Sequence, residues 1–309
     1  MTAARLLLAS IKEQIPPRAH VLAQLARLRT CNRFQREIVA MARLAEVDWR
    51  LLMLANLSYD LVVASLGCST IALPTAQGPV LARNMDWWPE DLLARASYLV
   101  RFRRNGKLLF MNAGWPGAVG IVTGMSARGF AVALNAVSCP EKWSRTGYPV
   151  LFHLRRVVED APNYGSALKM LAEQRLTSPA LFTLVGQNNN ERVVIERSPT
   201  RHVLRRVADH EPLFATNDYH LLFQSGQKLT VPHHGQGAEF YETTCRRYDA
   251  MCRFFAVWSP QRKISDEELL YVLSDPDVIQ TITAQHIVMR PRSLEVHVFV
   301  PRRFVQGPE

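Results

Sequence analysis

At Gly67 the chain changes texture, and that change restricts it to helices followed by a hairpin-built sheet. Residues 5–66 carry apolar side chains at three- and four-residue steps (Val21, Leu22, Leu25, Leu28, then Ile38, Met41, Leu44), the period of amphipathic helices. Pro16-Pro17 suits a helix's first turn, and Trp49–Leu66 continues the pattern almost without turn residues. From Gly67 onward the runs CSTIAL, PVLARNMDW, SYLVRFRR, KLLFMNAG and GFAVALNAV are short, rich in β-formers and separated by Gly, Pro and Asn. Asn105-Gly106 and Gly129 read as hairpin turns. Helix returns over 148–175 (Leu151, Leu154, Val157, Val158, then Ala167–Leu171), followed by strands in ALFTLVG, RVVIERS, HVLRRV and PLFATND. Helices are expected over 239–258 and 266–274, and a last hairpin turns at Pro291–Ser293. No internal repeat is visible. Strands and helices in alternating blocks predict an α+β fold with antiparallel sheets covered by helices.

Composition removes several classes. With 48% hydrophobic and 21% charged residues the chain is neither disordered nor low-complexity. Its formal charge of +10 favours anionic partners but says nothing about fold. Residues 5–66 contribute 9 − 5 = +4 of it. Arg27, Arg29, Arg33 and Arg36 there form either a basic membrane-facing surface or a solvated helix face. No nucleic-acid-binding motif appears, so no nucleic-acid partner is expected. The run Leu6–Ile11 is short and soon followed by Lys12 and Glu13. It does not read as a secretory signal, so the expectation is a cytoplasmic protein, peripheral at a membrane if its basic helices contact one. Cys31, Cys68, Cys139, Cys245 and Cys252 are too irregular for a disulfide framework. Without a CxxC pair or HExxH, no metal or other cofactor is expected; His233-His234 is the only adjacent histidine pair.

Cys68 is the most informative position. A cysteine after a glycine at a helix-to-strand junction is by itself an ordinary packing residue. Its companions are Arg83, Asn84 and Asp86 in ARNMDWW, Asn135 in AVALNAV, Asn217 in FATND, and Arg246-Arg247 in TTCRRYD. In that order these segments resemble the N-terminal-nucleophile (Ntn) amidohydrolases. They are most similar to the acid ceramidase and N-acylethanolamine-hydrolysing acid amidase family, with its bile-salt hydrolase and penicillin V acylase relatives. LLMLANLSYDLVVASLGCST resembles an acid-amidase propeptide running into its nucleophile. GAVGIVTGMSARGFAVALNA resembles the acyl-CoA:6-aminopenicillanate acyltransferase branch.

The resemblance implies a four-layer αββα sandwich made as a zymogen that cuts itself at Gly67–Cys68. The products would be a helical propeptide, 1–67, and a catalytic domain, 68–309. The freed α-amine of Cys68, with a pKa of about 7.7–8.0, would then serve as base for its own thiol, at about 8.5. No histidine is needed. Arg83 would favour the thiolate, and Asp86 would hold the new amine; the plain alternative is a structural ion pair. Asn217 would donate to the tetrahedral oxyanion, a contact worth ~3–4 kcal/mol. Asn135 matches the bile-salt hydrolase pattern. The acid-amidase pattern has Glu one position later, where this chain has Ala136, and that departure opens the substrate class. Arg246 matches the first arginine of a DDRR-like stretch, or else is a solvated helix residue. Trp87, Trp88 and Trp115 either wall an acyl pocket or belong to the core.

The expected activity is a self-processing cysteine amidase. It would cleave the linear amide of an N-acylethanolamine-, ceramide- or other N-acyl-amine-like lipid through a Cys68 thioester, with the small-molecule amide and the propeptide fragment as partners. Two alternatives are an acyltransferase, in which an amine resolves the thioester, and a basic membrane-surface-binding protein.

Overall fold

A computed structural model describes residues 19–62, 67–141, 143–223 and 243–305. Leu6–Ile11, Pro16-Pro17, residues 63–66, His233-His234 and the start of the helix expected at 239 lie outside the described residues.

Four helices precede the sheets: α1 (Ala19–Arg27), α2 (Asn32–Ala45), α3 (Trp49–Asn56) and α4 (Ser58–Val62). Their buried face is only in part the stripe of large aliphatics that the sequence suggests. Ile38 is buried and Met41 packs against the same core, but Val21, Leu28 and Leu44 are exposed, and Ala23, Ala26, Phe34 and Ala42 face inward. Small residues let α1 lie close against α3, which turns the larger neighbours outward. This core also receives Phe152, stacked on Phe34 at 5.8 Å, and Val119.

The strands are β1 (Gly67–Leu73), β2 (Val80–Asp86), β3 (Tyr98–Arg104), β4 (Lys107–Gly114), β5 (Thr123–Ser126), β6 (Phe130–Asn135), β7 (Ala180–Val185), β8 (Arg192–Arg197), β9 (His202–Arg205), β10 (Leu213–Ala215), β11 (Thr283–Arg290) and β12 (Glu295–Phe299). They form two antiparallel sheets. One runs β10-β1-β2-β11-β12; the other runs β3 to β9 in sequence order. The meander follows from its turns. Asn105 and Gly106, at φ 51° and 77°, make the tight turn joining β3 to β4, and Gly129 at φ 81° turns β5 into β6.

Both faces of the sandwich carry helices. Short α5 (Glu90–Arg95) follows β2. Helices α6 (Val150–Asp160) and α7 (Tyr164–Glu173) cover the seven-stranded sheet, α6 over β4–β6 and α7 over β7–β9. Residues 148–175 are thus two helices, the second capped by Asn163, whose side chain accepts from Ser166 N at 2.9 Å. Helix α8 (Thr244–Phe254) lies on β10 and β1, and α9 (Asp266–Leu273), which opens with a Ser265–Glu268 capping box, lies on β11 and β2. A 3₁₀ turn, Arg302–Phe304, ends the described chain. The architecture is the four-layer αββα sandwich, and β1, flanked on both sides and packed beneath β6 and β7, lies at its centre. Among the described residues no helix is long and apolar enough to cross a membrane.

Candidate active site

The pleat of β1 and β2 sorts the candidate side chains onto two faces. Cys68 pairs with Met85, Thr70 with Arg83 and Gly67 with Asp86. Cys68 and Arg83 point into the space between the sheets, where Arg83 Nη1 donates to Thr123 Oγ1 of β5 at 2.8 Å. Ser69, Asn84 and Asp86 face the helical layer: Arg247 of α8 donates to Ser69 Oγ at 3.1 Å, and Asn84 Nδ2 to the Leu273 carbonyl of α9 at 2.7 Å.

Arg83 is fully buried, and its Nη2 lies 2.6 Å from Cys68 Sγ. Burial raises the Cys68 thiol pKa, Arg83 opposes that rise, and the Asp86 charge adds to it. The thiol thus sits beside a fixed cation that offsets part of the cost of burying its charged form. Asp86 is also fully buried. Burial raises its carboxyl pKa, opposed by Arg247, the Thr283 hydrogen bond, Arg83 and Arg303 in decreasing order. Asp86 Oδ1 accepts from Thr283 Oγ1 at 2.7 Å, while Oδ2 has no partner among the described residues. That oxygen rests against Gly67, the residue before Cys68: a methyl group built on Gly67 would lie 3.1 Å from it.

Two asparagines reach this point from distant strands. Asn217 Oδ1 accepts from the Cys68 backbone N at 3.1 Å, and its Nδ2 donates to the Ala136 carbonyl at 2.8 Å. Asn135 Nδ2 donates to the carbonyls of Thr216 (2.9 Å), Ala215 (3.0 Å) and Cys68 (3.4 Å), and its Oδ1 accepts from Thr70 Oγ1 at 2.6 Å. Both side chains thus stitch main-chain groups together around Cys68.

The arginine of α8 that enters the site is Arg247, not Arg246. Arg247 is fully buried. Its Nη1 donates to the Cys68 carbonyl at 2.6 Å, its Nη2 to Asn217 Oδ1 at 2.6 Å and its Nε to Thr243 Oγ1 at 3.1 Å. Arg246 lies on the outer face, half exposed, 3.8 Å from Asp277. The signal was available in the helical period: Thr244, Arg247 and Met251 are spaced three and four apart on the buried face, which excludes position 246. Thr283, which holds Asp86, gave no comparable signal, because threonine is an ordinary strand residue.

Of the three tryptophans, Trp87 and Trp115 meet edge-to-face at 6.1 Å, and Trp115 Nε1 donates to the Leu93 carbonyl at 2.9 Å. Trp88 is 43% exposed and stands apart from them. Of the N-terminal arginines, Arg33 is tied to Asp160 at 2.6 Å and Arg27 lies over the Trp49 ring. Among the described residues no three His, Cys, Asp or Glu side chains are grouped to hold a metal ion.

The chain and its fold are similar to those of known proteins. A probable acid ceramidase of Caenorhabditis elegans is 28% identical over 195 residues, 55% of this chain and 48% of that protein. An N-acylethanolamine-hydrolyzing acid amidase of the same organism is 28% identical over 158 residues, 46% of this chain and 44% of that protein. The chain spans about half the length of the curated relatives it matches. The solved structure of a Caenorhabditis elegans N-acylethanolamine-hydrolyzing acid amidase ortholog superposes with a TM-score of 0.56 at 21% identity, covering 73% of this chain and 93% of that one, and shows the shared fold. The family model for acyl-coenzyme A:6-aminopenicillanic acid acyl-transferase matches residues 74–299, nearly three-quarters of the sequence, and the chain belongs to that family of Ntn-fold proteins.

Proposed function

We propose that this protein is a self-processing cysteine amidase that cleaves a linear amide between an acyl group and an amine. One observation carries the reading: a buried cysteine thiol 2.6 Å from a buried arginine, on the residue whose own backbone nitrogen is bound by Asn217. Nucleophile and future base are then one residue.

In the first reaction the Cys68 Sγ attacks the Gly67 carbonyl carbon. The Gly67–Cys68 C–N bond breaks, the thiol proton passes to the departing nitrogen, Asp86 Oδ2 accepts a hydrogen bond from that amine as it forms, and water hydrolyses the resulting thioester. Fragments 1–67 and 68–309 result. The exposed α-amine settles against Asp86 Oδ2 and accepts the thiol proton in the second reaction. There the sulfur attacks a substrate amide, the amine leaves with the proton, and water releases the acid from the thioester. Arg83 stabilises the sulfur anion throughout. Asn217, freed from the Cys68 amide, turns toward the oxyanion.

The names of the relatives point to an N-acylethanolamine, a ceramide or another N-acyl amine as the substrate class. The description of the matched family favours a second reading, in which an amine rather than water resolves the thioester.

The test is the intact mass of the purified protein beside Cys68→Ala, followed by a panel of N-acyl amines with and without an acceptor amine. Two fragments from the wild type alone, and an acid released from one of the amides, are expected. A wild-type chain that stays uncut across roughly pH 4.5–8 would overturn the reading.

A further inference from the structure

We propose that Thr283 is a positioning residue for Asp86, delivered by a β-bulge in β11 and held from outside by Arg303 of the C-terminal turn; this rests on the amidase reading above. The bulge is the first observation. Thr283 pairs with Asp86 but Gln285 pairs with Met85, so Ala284 is an extra residue opposite no partner. Bulges re-aim side chains beside functional sites, and this one sets the Thr283 hydroxyl on the carboxylate.

The hydrogen bonds fix which way that hydroxyl points. Thr283 Oγ1 accepts from the Gln280 backbone N at 2.9 Å, so its own proton goes to Asp86 Oδ1, 2.7 Å away. With Oδ1 anchored, the carboxylate presents Oδ2 toward Gly67. The 280–283 segment is held from both sides. Arg303 Nη2 donates to the carbonyls of Thr281 (2.9 Å), Thr283 (3.0 Å) and Gln280 (3.3 Å). On the inner side Arg247 Nε donates to Thr243 Oγ1, which donates to Gln280 Oε1 at 3.1 Å. Asp86 and Arg247 are thereby tied to one segment. The charged and titratable groups facing Asp86 are Cys68 from β1, Arg83 from β2, Arg247 from α8 and Arg303 from the turn. A donor to the ionised form keeps a carboxylate charged, so losing the Thr283 hydroxyl moves the Asp86 titration to higher pH.

Two measurements test this on the full chain. The first is the rate of Gly67–Cys68 cleavage against pH for Thr283→Val, Thr283→Ser and Arg303→Gln. Thr283→Val is expected to slow cleavage about ten- to a hundredfold and to move the acid limb of the profile upward. Thr283→Ser is expected to restore both, and Arg303→Gln to shift the limb in the same direction by less. The second, in a Cys68→Ala background that does not depend on cleavage, is the Asp86 carboxyl titration followed by carbon NMR and assigned with Asp86→Asn. Thr283→Val is expected to raise its midpoint. A wild type that never cleaves, with a titration that still depends on Thr283, overturns the amidase reading and leaves the positioning role standing. Cleavage and titration curves that superimpose for wild type and Thr283→Val overturn the positioning role alone, as does a Thr283→Ser variant as impaired as Thr283→Val. Unchanged curves for Arg303→Gln remove Arg303 from the proposal.

Discussion

Replacing Arg247 or its neighbour Arg246 by Met separates a site arginine from a surface one, and the structure sets the size of each effect. Arg247→Met keeps most of the side-chain volume and removes the hydrogen bonds donated to Thr243, the Cys68 carbonyl, Ser69 and Asn217. The losses are unequal. The Cys68 carbonyl keeps Asn135 at 3.4 Å, and Asn217 Oδ1 keeps the Cys68 amide at 3.1 Å. Ser69 and Thr243 are hydroxyls that reorient. The larger loss is charge, because Arg247 is the foremost of the groups opposing the burial of Asp86. Leaving buried acceptors without their charged donor costs about 1–3 kcal/mol, and the lost charge beside Asp86 places this case near the upper end. Asn217, which accepts from the amide nitrogen at the bond to be cut, also loses its anchor, for which a fall of about 10²–10³ in cleavage rate is expected, on the scale of losing one group that stabilises the reacting centre. Arg246→Met should cost under about 0.5 kcal/mol, since its partner Asp277 is half exposed and has Arg253 at 3.2 Å. Urea unfolding in a Cys68→Ala background measures stability without cleavage, and intact mass against time measures processing. An Arg247→Met protein within about 1 kcal/mol of the parent and cut at the parental rate would refute the assignment, as would loss of cutting in Arg246→Met.

Two further outcomes concern the docking of the N-terminal helices. Asn56 donates to the Leu52 and Gly117 carbonyls, both at 2.9 Å, and accepts from Val119 N (2.7 Å) and Gly120 N (2.9 Å), so Asn56→Ala orphans two buried amides; urea unfolding should show a loss of about 2–4 kcal/mol, and a loss under about 1 would mean the loop finds other partners. Burial pushes the Asp60 carboxyl up to about 7, against the hydrogen bond from Val150 N at 3.2 Å, so the folded chain holds that proton more tightly than the unfolded one. This contribution is present in full below about pH 4 and is lost as pH rises through 7, up to about 4 kcal/mol in all; Asp60→Asn should flatten the stability–pH curve over that window, and an unchanged slope would refute the assignment.

Much of the fold was legible because local chemistry decides it. Asn105-Gly106 and Gly129 turn their hairpins by backbone conformations that few other residues adopt. The inward stripe of α6, Leu151, Leu154, Val157 and Val158, follows the helical period without conflict. Legibility fails where a neighbour decides. The α1 stripe looks as though it should bury Val21 and Leu28, but contact with α3 selects Ala23 and Ala26. At the site, Cys68, Arg83, Asp86, Asn135 and Asn217 were named through a resemblance, since no local rule joins residues 149 positions apart in sequence. The structure brings those five together. It substitutes Arg247 for Arg246 because the register of a helix on a sheet is a tertiary property. Thr283 stayed hidden because a bulge has no sequence mark of its own.

The arrangement also bears on why such a chain would cut itself at this bond. Of the six side chains gathered around Cys68, Asp86 Oδ2 is the one buried polar atom without a partner among the described residues. An unpaired buried acceptor costs about 1–3 kcal/mol, and more when charged. Among the described residues, Arg83 is turned to Cys68 and Thr123, Arg247 to Cys68, Ser69 and Asn217, and Arg303 Nη2 to the carbonyls of the 280–283 segment. On the proposed reading, cutting at Gly67 creates the missing group, an ammonium with three donors, in the space beside that oxygen. The uncut state thus carries a local electrostatic deficit that the products relieve. Glycine at position 67 leaves room for that carboxylate, because a side chain there would press on Oδ2 at 3.1 Å and, on the proposed reading, push it from the place of the new amine.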